Sequence, residues 1–256
     1  DEVEVARIAT INITGNRVFD EKQLLELFSL RTPGWLTWYT KNDQYSRQKL
    51  QGDIETMRSF YLNSGYADFA VESTQVSITP DKREIYITVN VVEGEKYTVT
   101  GVTLAGDTLV PKSELEKLIT IRSGEPFSRE RVNETVKKIS DRLGNEGYAF
   151  ANANAVPEID REKRTVAFSI FVDPGRRVYV RRINIAGNTK TRDEVIRREM
   201  RQLEGAFYDA GKVSLSKQRV DRTQYFSEVE VETPAVPGTS DQVDVNLKVV
   251  EKPTGS

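Results

Sequence analysis

One short phrase, written three times, constrains this chain more than anything else in it. INIAGNTKTR spans residues 183 to 192, INITGNRVFD spans 11 to 20, and a looser copy, VTLAGDTLVP, spans 102 to 111. In the two closest copies isoleucines alternate with asparagine, and in all three a glycine follows: Gly15, Gly106 and Gly187, at intervals of 91 and 81. Period-two alternation marks a half-buried strand, and Gly before Asn or Asp supplies a positive-φ stop. Two more markers recur in the same order. Gly65-Tyr66 returns as Gly147-Tyr148, 82 residues on, and as Gln224-Tyr225, a further 77 on, with the glycine lost. An acid and a glycine close a β-rich run at Glu93-Gly94 and at Asp173-Pro174-Gly175, and Lys252-Pro253 ends the third run. This order predicts three modules of about 80 residues, at 6–95, 96–176 and 177–252, with 1–5 as the remnant of a linker and 253–256 as a junction.

Each module reads the same way. A short helix follows the glycine turn. Thr191 and Glu194 have capping-box spacing, Asp20 and Gln23 are a near relative, and Pro111 suits a first helical position. Leu24, Leu25 and Phe28, or Leu115, Leu118 and Ile119, give this helix its apolar side. A longer helix follows, with Leu50, Ile54, Met57 and Tyr61 at i, i+4, i+7 and i+11, and Val132, Val136, Ile139 and Leu143 at the same spacing. That stripe faces the module's own sheet. The third copy keeps Val213 and Val220 but is otherwise polar, which predicts weaker or offset packing. Two strands close each module. Ile85, Ile87, Val89 and Val91 alternate, as do Val166, Phe168, Ile170 and Val172, and Val243, Val245, Leu247 and Val249. Turns such as TPDKRE and PGTSDQ precede them and make each pair a hairpin. The expected fold is α+β: three tandem β-α-α-β-β modules, each with two helices on one face of a three-stranded mixed sheet. The first module holds nine extra residues, placed in SLRTPGWLTWYTKNDQ at 29–44, which carries both tryptophans. We expect these aromatics to fold back on the core, with an exposed contact patch as the alternative.

Composition narrows function mainly by exclusion. The chain has no cysteine and no histidine, so disulfides, thiolate zinc sites, cysteine nucleophiles and His-based triads cannot form. No Walker, dinucleotide-binding, HExxH or EF-hand motif occurs. Glu93/Glu95, Asp241/Asp244 and Glu228/Glu230/Glu232 read as solvated surface, and no enzyme is expected. The net charge of −2 gives Arg176-Arg177, Arg181-Arg182 and Arg197-Arg198 little weight as a phosphate surface. Two glycosylation-like sequons, at Asn12 and Asn133, are weak signals. No apolar run approaches the ~20 residues that span a bilayer, and no signal peptide stands at the start, so the chain reads as cytosolic or as an excised or processed piece.

The stronger site signal is a strand edge. In FAVESTQVSITP, 69–80, apolar residues fall at odd positions (Phe69, Val71) and then at even ones (Val76, Ile78). This slip predicts a β-bulge near 72–75 on an exposed second strand, which is either a twisted edge that avoids aggregation or a docking edge for another chain's strand.

These features together resemble the polypeptide-transport-associated (POTRA) module. YSRQKLQGDIETMRSFYLNSGYA, ESTQVSITPDK, YVRRINIAGNT and REMRQLEGA resemble the Omp85 family of outer-membrane β-barrel assembly proteins, in its modules three to five, from about residue 5 to the end. The resemblance implies a periplasmic arm, attached through a C-terminal membrane barrel beyond VVEKPTGS, that receives unfolded outer-membrane proteins and scaffolds accessory lipoproteins. It implies a BamB-like propeller lipoprotein on the edge matching STQVSITP, hence Val76 and Ile78, and a BamD-like helical lipoprotein near RREMRQLEGA, hence Arg197 and Glu204. No cofactor, metal or nucleic acid is implied. Alternatives are a POTRA arm of another translocation protein, TamA-like; a cell-division protein of FtsQ type, which carries one module beside a transmembrane helix; and a small RNA-binding module.

Overall fold

The computed structural model describes residues 6–253, so the expected linker remnant at 1–5 and nearly all of the expected junction at 253–256 lie outside the described residues. Three three-stranded sheets follow one another along the chain. The first combines β1 (Arg7–Thr14), β2 (Ala70–Ile78) and β3 (Glu84–Val92), with helices α1 (Glu21–Leu25), α2 (Thr37–Thr40) and α3 (Arg47–Asn63) between β1 and β2. The second combines β4 (Thr98–Gly106), β5 (Asn152–Asp160) and β6 (Thr165–Asp173), with α4 (Lys112–Glu116) and α5 (Arg129–Gly144). The third combines β7 (Tyr179–Ala186), β8 (Phe226–Glu232) and β9 (Gln242–Glu251), with α6 (Asp193–Arg197) and α7 (Ala210–Arg222). In each, the last strand lies in the middle. In the first and third sheets it runs parallel to the first strand and antiparallel to the second.

The tripled glycine now has a physical cause. Gly15, Gly106 and Gly187 sit at φ of 87° to 89°, where a left-handed backbone disfavours any side chain. A Cβ there would stand 2.0 Å from the Val91 carbonyl oxygen, 2.4 Å from that of Val172 and 2.0 Å from that of Val249. The first strand ends against the backbone of the central strand, and only glycine fits. The second marker obeys a similar constraint more loosely. Gly65 and Gly147 have φ of 105° and 100°, and Gln224 takes φ of 60° in their place.

The stripes of α3 and α5 face their own cores. Leu50, Met57 and Tyr61 are buried and Ile54 packs beside them; Ile139 and Leu143 are buried. On α7, Val213 and Val220 enter a core with Ile183, Val245 and Leu247, so the helix is seated despite its polar sequence. The face of β9 away from the core carries Asp244, Asn246 and Lys248. Asp20 caps α1, accepting from Gln23 N at 2.9 Å. The capping box at Thr191 does not form. α6 starts after Arg192, because the Thr191 amide donates instead to Glu251 at 2.6 Å. Pro111 stands at the N-cap, one residue before the helix proper.

One buried polar position recurs that the apolar stripes do not show. Asp53 accepts from Ser29 N at 2.8 Å, Ser29 Oγ at 2.9 Å and Leu30 N at 3.0 Å. Thr135 Oγ1 accepts from Thr120 N at 3.0 Å. Ser216 Oγ accepts from Arg201 N at 2.7 Å and Gln202 N at 3.3 Å. All three are buried on the long helix, three residues after Leu50, Val132 and Val213, and each secures amides of the chain leaving the short helix.

The contacts gather into two compact units. One holds the first sheet and its helices, the segment through Gly101, Ile121–Asn133 and Pro157–Ala167. Inside it, Asp68 accepts from Tyr97 Oη at 2.8 Å and Arg161 Nη1 at 2.7 Å, and Asn63 Oδ1, at the end of α3, accepts from Glu130 N in the first turn of α5 at 2.9 Å. The other unit holds Val102–Thr120, Glu134–Val156 and the chain from Phe168 onward. There Arg177 donates to the Glu146 carbonyl at 2.9 Å and lies 3.4 Å over the ring of Phe207.

A candidate docking edge

Because the third strand of each module is central, each sheet has two edges, formed by its first and second strands. Each first-strand edge is paired at its start by the module's own loop between helices. Ile8 N donates to Asp43 O at 2.7 Å. Val99 exchanges backbone bonds with Glu125 and Gly124, both at 2.8 Å, and Val180 does so with Ala206 and Gly205 at 2.9 and 2.7 Å. The second-strand edges differ in how they are defended. β5 contains Pro157, and β8 carries Glu228, Glu230 and Glu232; proline and charge both discourage edge pairing. β2, AVESTQVSI, has no proline and one charged residue, Glu72.

The predicted bulge is present. Val71 pairs with Val91 and Ser73 with Asn90, leaving Glu72 as the extra residue. Beyond it Val76 stands opposite Ile87 and Ile78 opposite Ile85. Partners in register share a face, and Ile85 and Ile87 are buried under the helices. Val76 and Ile78 therefore project toward the helical side, yet are 41% and 54% exposed. They form an apolar rail beyond the bulge, along an edge that carries no proline and no charge other than Glu72. On the opposite face a polar rung crosses the sheet, Asn90 Nδ2 donating to Ser73 Oγ at 2.6 Å and Thr14 Oγ1 to Asn90 Oδ1.

Arg197 and Glu204 come together in the third module. Arg197 Nη1 is 3.6 Å from Glu204 Oε1. Glu204 accepts from Ile183 N at 2.8 Å, and Arg197 donates to Ile183 O at 2.9 Å and to Asp193. The pair thus occupies both backbone groups of one residue on the β7 edge, with about half of each side chain still exposed. Geometry brings Val76 with Ile78, and Arg197 with Glu204.

Two sequence expectations need correction. Glu93 is not solvated surface: it is buried, accepts from Arg17 N at 2.7 Å and from Tyr61 Oη at 2.7 Å, and so ties the glycine turn to α3. Burial, and then this bond, push the Tyr61 hydroxyl up from its ordinary value. Glu251 does the same work in the third module. It accepts from Thr191 N, Lys190 N and Thr189 Oγ1, and these bonds, that of Thr191 foremost, hold its carboxyl down at about 2. Nor do the aromatics of 29–44 fold back: Trp35, Trp38 and Tyr39 are 84%, 76% and 77% exposed, because the ten residues at the tip of the insertion reach no core cluster.

The POTRA family, described as a surface antigen variable number repeat, matches at residues 6–94, 97–175 and 178–252. The chain belongs to the POTRA family. It is 40% identical, over its full length, to the outer membrane protein assembly factor BamA of Neisseria meningitidis, and 33% identical over 98% of its length to BamA of Buchnera aphidicola. It spans 32% and 40% of those two relatives. Among solved structures, POTRA modules 3–5 of Haemophilus influenzae BamA match with a TM-score of 0.85 and 32% identity, covering 96% of each chain. These three modules are thus similar to the third, fourth and fifth POTRA modules of BamA, and the chain is periplasmic.

Proposed function

We propose that this chain is the scaffolding and receiving arm of an outer-membrane β-barrel assembly machine. In this reading it continues into a membrane barrel, and its modules, bounded at 6–95, 96–176 and 177–252, stand in series before it. The β2 edge takes an added strand, from a propeller lipoprotein or an unfolded barrel protein, with Val76 and Ile78 as its apolar rail. Arg197 and Glu204 orient a helical lipoprotein at the third module, since a charged pair fixes register more than affinity. One observation carries the reading: β5 and β8 are blunted by proline and glutamates, each first-strand edge is met at its start by its own loop, and β2 alone among the second strands lacks proline and a run of charge. Weak pairing at this single edge suits handover, because a client held by few contacts dissociates quickly.

An NMR titration with an extended peptide copied from a barrel strand tests this. The expected result is weak, saturable shifts concentrated at 70–78 and reduced in Val76→Ala/Ile78→Ala. Shifts spread evenly over all three modules, or unaffected by the double change, would overturn the edge assignment.

A further inference from the structure

We infer that the aromatic protrusion of the first module docks onto the surface of an anionic phospholipid bilayer. The protrusion is a built object. Its neck is closed by Arg31 N donating to Asn42 O at 2.8 Å. Inside the neck, Thr37 Oγ1 bonds both the amide and the carbonyl of Gly34, at 3.0 and 2.7 Å, and Lys41 N closes the α2 turn on Thr37 O at 2.8 Å. What this frame presents is Trp35, Leu36, Trp38 and Tyr39, all exposed, the last two with rings 6.0 Å apart edge to face. Rings exposed by three quarters or more line no pocket. A convex apolar tip is readily covered by a soft medium, and tryptophan and tyrosine are the side chains that settle at a membrane's headgroup level.

Charge selects the kind of surface. From residue 27 to 52 the exposed charged side chains are Arg31, Lys41, Arg47 and Lys49. The only acid in that stretch, Asp43, is buried and paired with Arg7 at 3.3 Å. A chain of net charge −2 thus flanks its most exposed aromatics, within this stretch, with exposed positive charge, and Glu26 lies only at the base beside Arg31. Aromatic insertion and basic attraction together bind anionic headgroups. A polypeptide client would need a groove or a free strand edge, and this protrusion offers neither. The inference stands apart from strand addition at β2, which uses other residues.

The chain's two tryptophans both lie on the protrusion, so tryptophan emission, excited selectively over the ten tyrosines, reads this site. Vesicles of phosphatidylglycerol mixed with phosphatidylcholine should shift the emission to the blue, and acyl-brominated lipid should quench it. Phosphatidylcholine vesicles alone should do much less. Lys41→Gln, Arg47→Gln and Lys49→Gln should each lower the apparent partition about five-fold. Trp35→Ser/Trp38→Ser, outside every core cluster, should abolish co-sedimentation with its circular dichroism intact; should that variant misfold, quenching in the unaltered chain decides. Three results would overturn the inference: no shift and no co-sedimentation with anionic vesicles, co-sedimentation unchanged in the double variant, or a shift produced by an unfolded barrel polypeptide and not by vesicles.

Discussion

Replacing Asp53, Ser216 and Thr135 one at a time should give a graded loss of stability, because the three side chains differ in the number and charge of the bonds they make to the chain leaving the short helix. Asp53 accepts three bonds with a charged acceptor, two of them from backbone amides. Asp53→Ala leaves those amides without an acceptor in a site that is 4% exposed. At ~1–3 kcal/mol for each stranded donor, the loss is ~3 kcal/mol. Ser216→Ala strands two amides served by a neutral hydroxyl, for ~2 kcal/mol, and Thr135→Val strands one without changing shape, for ~1 kcal/mol. A three-module chain need not unfold in one step, so the measurement should be local. Hydrogen exchange of the Ile87, Val245 and Ile170 amides reports the first, third and second modules. The expected accelerations are roughly 150-, 30- and 5-fold, each confined to its own module. Asp53→Asn should fall between, since its amide group keeps one acceptor oxygen and points a donor at the other site. Equal losses in all three variants, or normal protection in Asp53→Ala, would refute the reasoning that these bonds secure the short helix.

Two other outcomes follow from particular residues. Gln224 is exposed and holds φ of 60° where its counterparts are glycine, so Gln224→Gly should stabilise the third module by ~0.5–1 kcal/mol, slowing exchange there two- to five-fold. Glu251 has its folded carboxyl at about 2 against an ordinary 4.5. A depressed folded value means its contribution is complete above 4.5 and disappears as pH falls through about 2. The third-module stability gap between the parent chain and Glu251→Gln, followed by denaturant titration, should be widest near neutrality and shrink as pH falls across that window.

Strands, helices and the β2 bulge were legible in the sequence because each leaves a periodic trace: alternation at Ile11 and Ile13, a stripe from Leu50 to Tyr61, a phase slip between Val71 and Val76. The pairing at the start of each first strand left none, since it comes from backbone groups of the inter-helix loop. Thr191 shows a local signal losing to a tertiary one, its amide being claimed by Glu251, 60 residues away. Glu93 looked solvated for a related reason: strand alternation cannot anticipate a tyrosine hydroxyl arriving from α3. The Asp53, Thr135 and Ser216 position could have been found, because a polar residue at one register in every copy of an otherwise apolar face is itself a pattern. The exposure of Trp35 and Trp38 ran against expectation because burial preference argues from residue type, whereas a closed neck at Arg31 and Asn42 holds these rings out whatever their hydropathy.

The bond from Asn63 to the amide of Glu130 bears on anyone who treats the repeats as interchangeable parts. A side chain at the end of one helix serves as terminal cap for a helix three strands further along the sequence. Cutting the chain at its apparent seam therefore removes a piece of the downstream helix's start signal, and a transplanted second module would need a new residue at its own amino end to replace it. During synthesis the same arrangement runs in one direction: the residue whose side-chain oxygen accepts the bond leaves the ribosome before the helix whose amide donates it.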